Sequence, residues 1–331
     1  MAEATSRRTD PAVLVERMLQ GDRLALARLI THVENRTAAV PQIMKAVHGR
    51  GGASYVVGVT GPPGAGKSTV VDRLTAHLRA EGATVGIVAV DPSSPFTGGA
   101  VLGDRIRMQA HALDAGVFIR SMATRGSLGG LARATGEVIK LLLAFGHDWV
   151  LVETVGVGQT ELDIMKLADT TVVTLVPESG DAIQTMKAGL MEAADVFVVN
   201  KADRAGAPAL MAELKFTAHL HYASATSAKD IDWEIPVLSV QAQGDVGVRE
   251  LLTEVRRHRA TLERAGALQA RRRARLRGEL ETLLLEALRE RVARGLTGGA
   301  LRAKLDEVVA GDLDPYSAVE AMLPMISLDR A

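Results

Sequence analysis

The chain has no cysteine, which rules out disulfides, thiol catalysis and thiolate metal sites and fits a reducing compartment. Aromatic residues make up 3% of it, so any core must be built from aliphatic side chains. There is no net charge, because 39 basic residues balance 39 acidic ones. Neutrality gives no overall attraction for nucleic acid or an anionic membrane, and neither is expected as the main partner. No stretch approaches the roughly 18 uninterrupted apolar residues of a membrane span. Met1 to Asp10 is polar, lacks the apolar segment of a secretory signal, and with Glu3, Asp10 and Glu16 nearby is too acidic for a transit peptide. The expectation is a soluble, cytoplasmic protein. Its 331 residues, 47% of them apolar, suffice for one large core or two modest ones.

Three regions separate by pattern. Residues 1–50 read as a helical N-terminal extension: Asp10-Pro11 resembles a helix cap and first turn, and Leu24, Leu29, Ile30 and Val33 follow helical spacing. In residues 51–264, short apolar runs alternate with helix-length segments, at Tyr55–Val59, Val85–Val90, Val117–Ile119, Trp149–Val152, Thr171–Val176, Val196–Val199 and Val237–Val240. Continuous apolar runs suit strands covered on both faces, so the fold class is α/β with a doubly wound, mostly parallel sheet. Residues 265–331 turn helical, with Leu276, Leu280, Leu284, Leu288 and Val292 in a stripe that needs a surface to pack on. Asp314-Pro315 looks like the start of a final helix.

The sharpest local signal is Gly61-Pro62-Pro63-Gly64-Ala65-Gly66-Lys67-Ser68, set between an apolar strand and a helical segment that begins at Thr69. Glycines let backbone amides turn inward around phosphates, and the helix N-terminus adds partial positive charge. Lys67 can reach the terminal phosphates, and the Ser68 hydroxyl can ligate Mg2+. Carboxylates are needed to complete a metal site. Glu153 closes a predicted strand and leads into Thr154-Val155-Gly156, where an acid near the metal and a glycine amide facing the terminal phosphate are expected. Asp91 ends its strand in the same way and Asp104 lies in a glycine-bearing loop, although a strand-end Asp can equally cap a loop or helix. The candidate catalytic residues are Lys67, Glu153 and Gly156, and the candidate metal ligands are Ser68, Asp91, Asp104 and Glu153.

A second signal, Asn200-Lys201-Ala202-Asp203, follows the run Val196–Val199 and so falls at a carboxyl strand end, where ligands of this architecture bind. The Asp203 carboxylate can accept from guanine N1–H and N2–H, a donor pair adenine lacks, which discriminates by roughly 10⁴-fold. Lys201 can lay its stem over the purine, Asn200 can tie neighbouring loops together, and Gln241 and Ala242 after the last strand can complete the pocket. GTP and GDP are the expected ligands. Where Ras-like switches place a water-orienting glutamine directly after the third-loop glycine, Gly156 is followed by Val157. Slow intrinsic hydrolysis, accelerated by a partner, is therefore expected.

Beyond these loops the chain carries Val90-Asp91-Pro92-Ser93-Ser94, Gly103-Asp104-Arg105-Ile106-Arg107-Met108, Arg125 to Gly130, Glu153 to Gln159, and Glu178-Ser179-Gly180-Asp181-Ala182-Ile183-Gln184. In this string of segments it resembles the MeaB/MMAA-type P-loop G proteins, also labelled ArgK or LAO/AO transport kinases. The resemblance implies a GTPase chaperone that gates adenosylcobalamin delivery to methylmalonyl-CoA mutase or a related acyl-CoA mutase and protects or reactivates it. Cobalamin adenosyltransferase is a further implied partner. Also implied are a switch segment at Glu178–Lys187, with Gln184 and Lys187 as signal carriers, and a homodimer formed through the C-terminal helices. One departure stands out: relatives carry Thr-Ser-Ala and then Gly-x-Gly where this chain reads Val240-Gln241-Ala242 and then Asp245-Val246-Gly247.

The arginines between Arg271 and Arg277 read as a solvated or dimer-contacting helix face, since glutamates follow closely. His219 and His221 are two apart and do not share a helical face. No Asp-x-His-x-x-Gly segment offers a cobalt ligand, so the protein is expected to manage cobalamin traffic without carrying the cofactor. Two other readings compete with the chaperone. A kinase acting on a transport protein or small molecule lacks a dedicated acceptor base, and a nickel-insertion GTPase lacks cysteine and a histidine-rich tract.

Overall fold

All seven apolar runs become strands of one parallel sheet: β1 (Tyr55–Thr60), β2 (Val85–Asp91), β3 (Val117–Ala123), β4 (Trp149–Glu153), β5 (Thr170–Leu175), β6 (Val196–Val199) and β7 (Val237–Ser239). Their order is β3-β2-β4-β1-β5-β6-β7, and every pairing is parallel. The computed structural model describes residues 10–91, 109–111, 113–123, 128–154, 166–179, 194–224 and 231–326. The chain divides into two compact units, Met1–Gln269 and Ala270–Ala331.

Alternate strand residues point to opposite faces, and both faces are covered. Tyr55, Val57, Val59, Ile87, Leu151, Val172 and Val198 join one core with α4 (Lys67–Ala80) and α7 (Val248–Arg264). Val56, Val88, Val90, Val150 and Val152 join the opposite core with α5 (Leu128–Phe145) and the N-terminal helices α1 (Pro11–Leu19), α2 (Arg23–Glu34) and α3 (Val40–Val47). A third cluster seats α6 (Ala207–Ser224) against β5, β6 and β7. Burial on both sides is why the strands read as unbroken apolar runs.

The cap at Asp10 forms as its sequence suggests: its carboxylate accepts from Ala12 N at 2.9 Å, with Pro11 in the first turn. Asp22 does the same for α2, accepting from Leu24 N and Ala25 N. The predicted α2 stripe is off by one position at its start. Leu24 sits in the first turn facing solvent, 56% exposed, and Ala25 and Leu26 take the buried places before Leu29, Ile30 and Val33. β3 is an outer strand, and α2 engages it: Arg23 donates to the carbonyls of Asp114, Ala115 and Val117, and Arg120 of β3 pairs with Glu34. Side chains thus occupy a sheet edge that would otherwise invite another strand.

Helix α8 (Ala267–Gly295) starts in the first unit and leads into the second, which also holds α9 (Gly299–Ala310) and α10 (Pro315–Met322). Asp314 caps α10 through Tyr316 N and Ser317 N. On α8, Leu276, Leu280 and Leu284 are exposed in the single chain.

Candidate nucleotide site

The loop between β1 and α4 is shaped by its neighbours. At Gly61 (φ +138°) a Cβ would lie 1.9 Å from the Thr174 carbonyl oxygen of β5, and at Gly66 (φ +86°) 2.3 Å from Asn200 Nδ2. Only glycine fits either position, sterically and by backbone conformation. Gly66 is also the cap of α4 and, being glycine, brings no side chain to cap the helix's first turn. The positive end of the α4 dipole therefore faces the loop, a place that favours an anion. Ala65 is fully buried, and Pro63 and Gly64 are exposed at the loop's tip. Lys67 and Ser68 start α4 and are each 6% exposed, with Thr69 half-buried behind them. The Lys67 ammonium donates to Gly61 O at 2.8 Å and Pro62 O at 3.1 Å, so it lies within the loop itself.

Ser68 Oγ donates to Glu153 Oε1 at 2.5 Å, both residues being buried. Register explains the meeting: Glu153 pairs with Val59 near the carboxyl end of β1, just before the loop. A hydroxyl and a carboxylate held together in a buried position are the hard oxygen donors that Mg2+ prefers. Asp91 closes β2, two residues beyond Ala89, which pairs with Glu153, so its backbone stands at the same sheet end. Its side chain, like Asp104 and Gly156, lies outside the described residues, as do Gln184 and Lys187. Thr154, which carried no individual role in the sequence reading, donates from Oγ1 to Thr60 Oγ1 at 2.9 Å and ties the ends of β4 and β1.

Asn200 is the junction of the site. It is buried, donates from Nδ2 to Ala65 O at 2.8 Å, and accepts from Ala242 N at Oδ1 at 3.0 Å. One side chain joins the phosphate loop, the turn after β6 and the turn after β7. Lys201, at φ +54°, reaches back to donate to Gly64 O at 2.8 Å. Ala202 N bonds Val240 O, and Asp203 is exposed on the same turn. The backbone of Gln241 is committed to a closed pair with Val246, which leaves its half-buried side chain as its available group.

Two further contacts brace this region and were not legible as partners, because each joins side chains far apart in the chain. Arg204 donates to Glu178 at 2.6 Å, and that hydrogen bond holds the Glu178 carboxyl below its usual range. His77 on α4 meets Asp245 at 2.9 Å, just beyond the turn holding Gln241 and Ala242.

A glycine-bearing loop that runs into a helix and the Asn200–Asp203 turn, brought to one end of a parallel sheet and bolted together by Asn200, mark a P-loop guanine-nucleotide-binding protein. Residues 26–297 match the family described as methylmalonyl Co-A mutase-associated GTPase MeaB. The chain belongs to that family, and it is a GTPase. It is 50% identical over 313 residues to a protein of Pyrococcus abyssi that is named as a GTPase, spanning 95% of this chain and 96% of that one. The GTPase ArgK of Escherichia coli K12 is 37% identical, over 77% of this chain and 78% of its own. The mouse methylmalonic aciduria type A homolog is 31% identical, over 92% and 77%. A crystal structure of a LAO/AO transport system kinase superposes with a TM-score of 0.66 at 28% identity, covering 96% and 97% of the two chains. No helix among the described residues is long and apolar enough to cross a membrane.

Proposed function

We propose that this GTPase is a Mg2+-dependent chaperone of an adenosylcobalamin-dependent methylmalonyl-CoA mutase, gating cofactor loading and protecting or reactivating the mutase. The observation that carries the nucleotide half is the Asn200 junction, which ties the phosphate-facing loop to the purine-facing turns. The family description and the name of the mouse relative support the mutase half.

In this reading Gly61 to Thr69 cradle the phosphates, and Lys67 exchanges the carbonyls of Gly61 and Pro62 for the terminal phosphates. Its fixed charge then opposes the negative charge that develops on transfer to water. Asp203 reads the guanine edge, Lys201 lies along the purine, and Asn200, Gln241 and Ala242 set the pocket's shape. Ser68 and Glu153, with Asp91 and Asp104, would hold Mg2+, which neutralises charge on the terminal phosphates. Gly156 offers its amide to the terminal phosphate. With Val157 in place of a water-orienting glutamine, hydrolysis by the chain alone is slow and the partner accelerates it. Exposed leucines on α8 support a homodimer through the C-terminal helices.

Co-purification with methylmalonyl-CoA mutase, in GTP analogue and in GDP, tests this. Nucleotide-dependent association and faster GTP turnover are expected, and turnover unchanged by saturating mutase refutes the chaperone reading. The kinase after which the superposed structure is named motivates one alternative. It predicts that label from γ-labelled GTP appears on a protein or metabolite, where the chaperone releases it as free phosphate.

A further inference from the structure

At the far end of β7 from the guanine-reading turns lies a cleft of about 1050 Å³, walled by α6, the segment leading into β7, and the last turns of α7. That volume is at the upper end of small-molecule sites, roughly 300–1,000 Å³. Its lining is chemically divided. Trp233, Ile235 and the Phe216 ring, which is 65% exposed, supply an apolar, aromatic surface. Lys215, Arg257 and Arg264 supply cations from two different helices.

Each of the two acids at the rim has one oxygen engaged: Asp232 Oδ1 accepts from Tyr222 Oη at 2.6 Å, and Glu234 Oε1 pairs with His219 at 3.1 Å. Arg257 lies 4.4 Å over the Trp233 ring and is fixed there by Glu254. Lys215 and Arg264 have no carboxylate partner among the described residues, and Arg264 bonds only within its own helix. A cation in the last turn complements the carboxyl end of α7, which accounts for Arg264 alone. It does not account for Lys215, which projects into the same cleft from the middle of α6, nor for an exposed phenyl ring beside it.

We propose that this cleft is a second ligand site, taking a small phosphorylated molecule with a flat aromatic ring, of the nucleoside diphosphate class. The ring lies against Phe216 and the Trp233 side of the cleft, and the phosphates meet Lys215 and Arg264. Stacking on a flat aromatic face does not depend on which base is bound, so the site takes adenine as well as guanine.

The test is equilibrium dialysis of labelled ADP against the full-length Lys67→Ala chain, which removes the phosphate-loop lysine. One saturable ADP per chain is expected, competed by excess pyrophosphate and weakened tenfold or more when Lys215→Glu and Arg264→Glu are added. The same charge reversals in the otherwise native chain should leave GDP affinity unchanged, which shows that they fold. No saturable ADP, ADP binding that survives the reversals, or ADP binding seen only when Lys67 is intact would each overturn the proposal.

Discussion

Asn200→Ala separates the two ends of the nucleotide site without touching either ligand-reading group. It leaves Ala65 O and Ala242 N without their side-chain partner in a buried place, at about 1–3 kcal/mol each. The total, about 2–6 kcal/mol, divides between folding stability and the cost of re-ordering the loops around nucleotide. GDP affinity should therefore fall by about 10–100-fold, equivalent to roughly 1.4–2.8 kcal/mol, and the remainder should lower the melting temperature. Gly66→Ala provides the internal control. Its Cβ would stand 2.3 Å from Asn200 Nδ2 at a φ of +86°, so in the native background it suffers both a collision and left-handed strain of about 1–2 kcal/mol. With Asn200→Ala already present the collision disappears and only the strain remains. Titration calorimetry with GDP and urea melts of the four proteins should give a coupling energy above about 0.5 kcal/mol, in the sense that Gly66→Ala costs less in the Asn200→Ala background than in the native one. Equal costs of Gly66→Ala in both backgrounds, or native GDP affinity in Asn200→Ala, would refute the junction.

Lys67→Ala should abolish GTP hydrolysis and weaken nucleotide binding, and native turnover in a phosphate-release assay would remove Lys67 from the mechanism. Asp203→Asn should shift preference from guanine towards xanthine nucleotides, whose 2-oxo group accepts where guanine donates; competition binding with XDP and GDP reads this directly. His147 is buried beside the rings of Phe118 and Phe145, and burial first, then the Arg23 charge, pushes its pKa down to about 4 from an ordinary 6.5. The folded state thus takes up the proton less readily than the unfolded chain. Its contribution is fully present above about pH 6.5 and is lost as pH falls towards 4, by roughly 2–3 kcal/mol. His147→Leu should flatten that loss, and urea melts at pH 7 and pH 4.5 that drop equally for both proteins would exclude His147 as its source.

The strands were legible because each is buried on both faces, and a run such as Val196 to Val199 has no competing helical reading once a turn follows it. The phosphate loop was legible because its glycines serve local conformation. Leu24 was misplaced because periodicity alone does not say where a helix begins to touch its neighbour, and α2 makes its contact from Ala25 onward. Arg204 with Glu178 and His77 with Asp245 were invisible, since nothing in a single sequence tells which distant polar side chains will face each other.

Residue order by itself determined the chemistry available: a glycine-bearing loop ending in Lys67, the Ser68 hydroxyl, carboxylates at strand ends, the Asn200–Asp203 turn, and a parallel α/β sheet to present them. Only the tertiary structure decided which of the described groups meet. Strand order places β4 and β5 on either side of β1 and β6 next to β5, which puts Glu153 against Ser68, Thr174 against Gly61 and Asn200 against Ala65. The physical reason is that hydrogen-bonded register, which depends on pairings between strands remote in sequence, sets where each strand end stops, and these side chains sit at those ends.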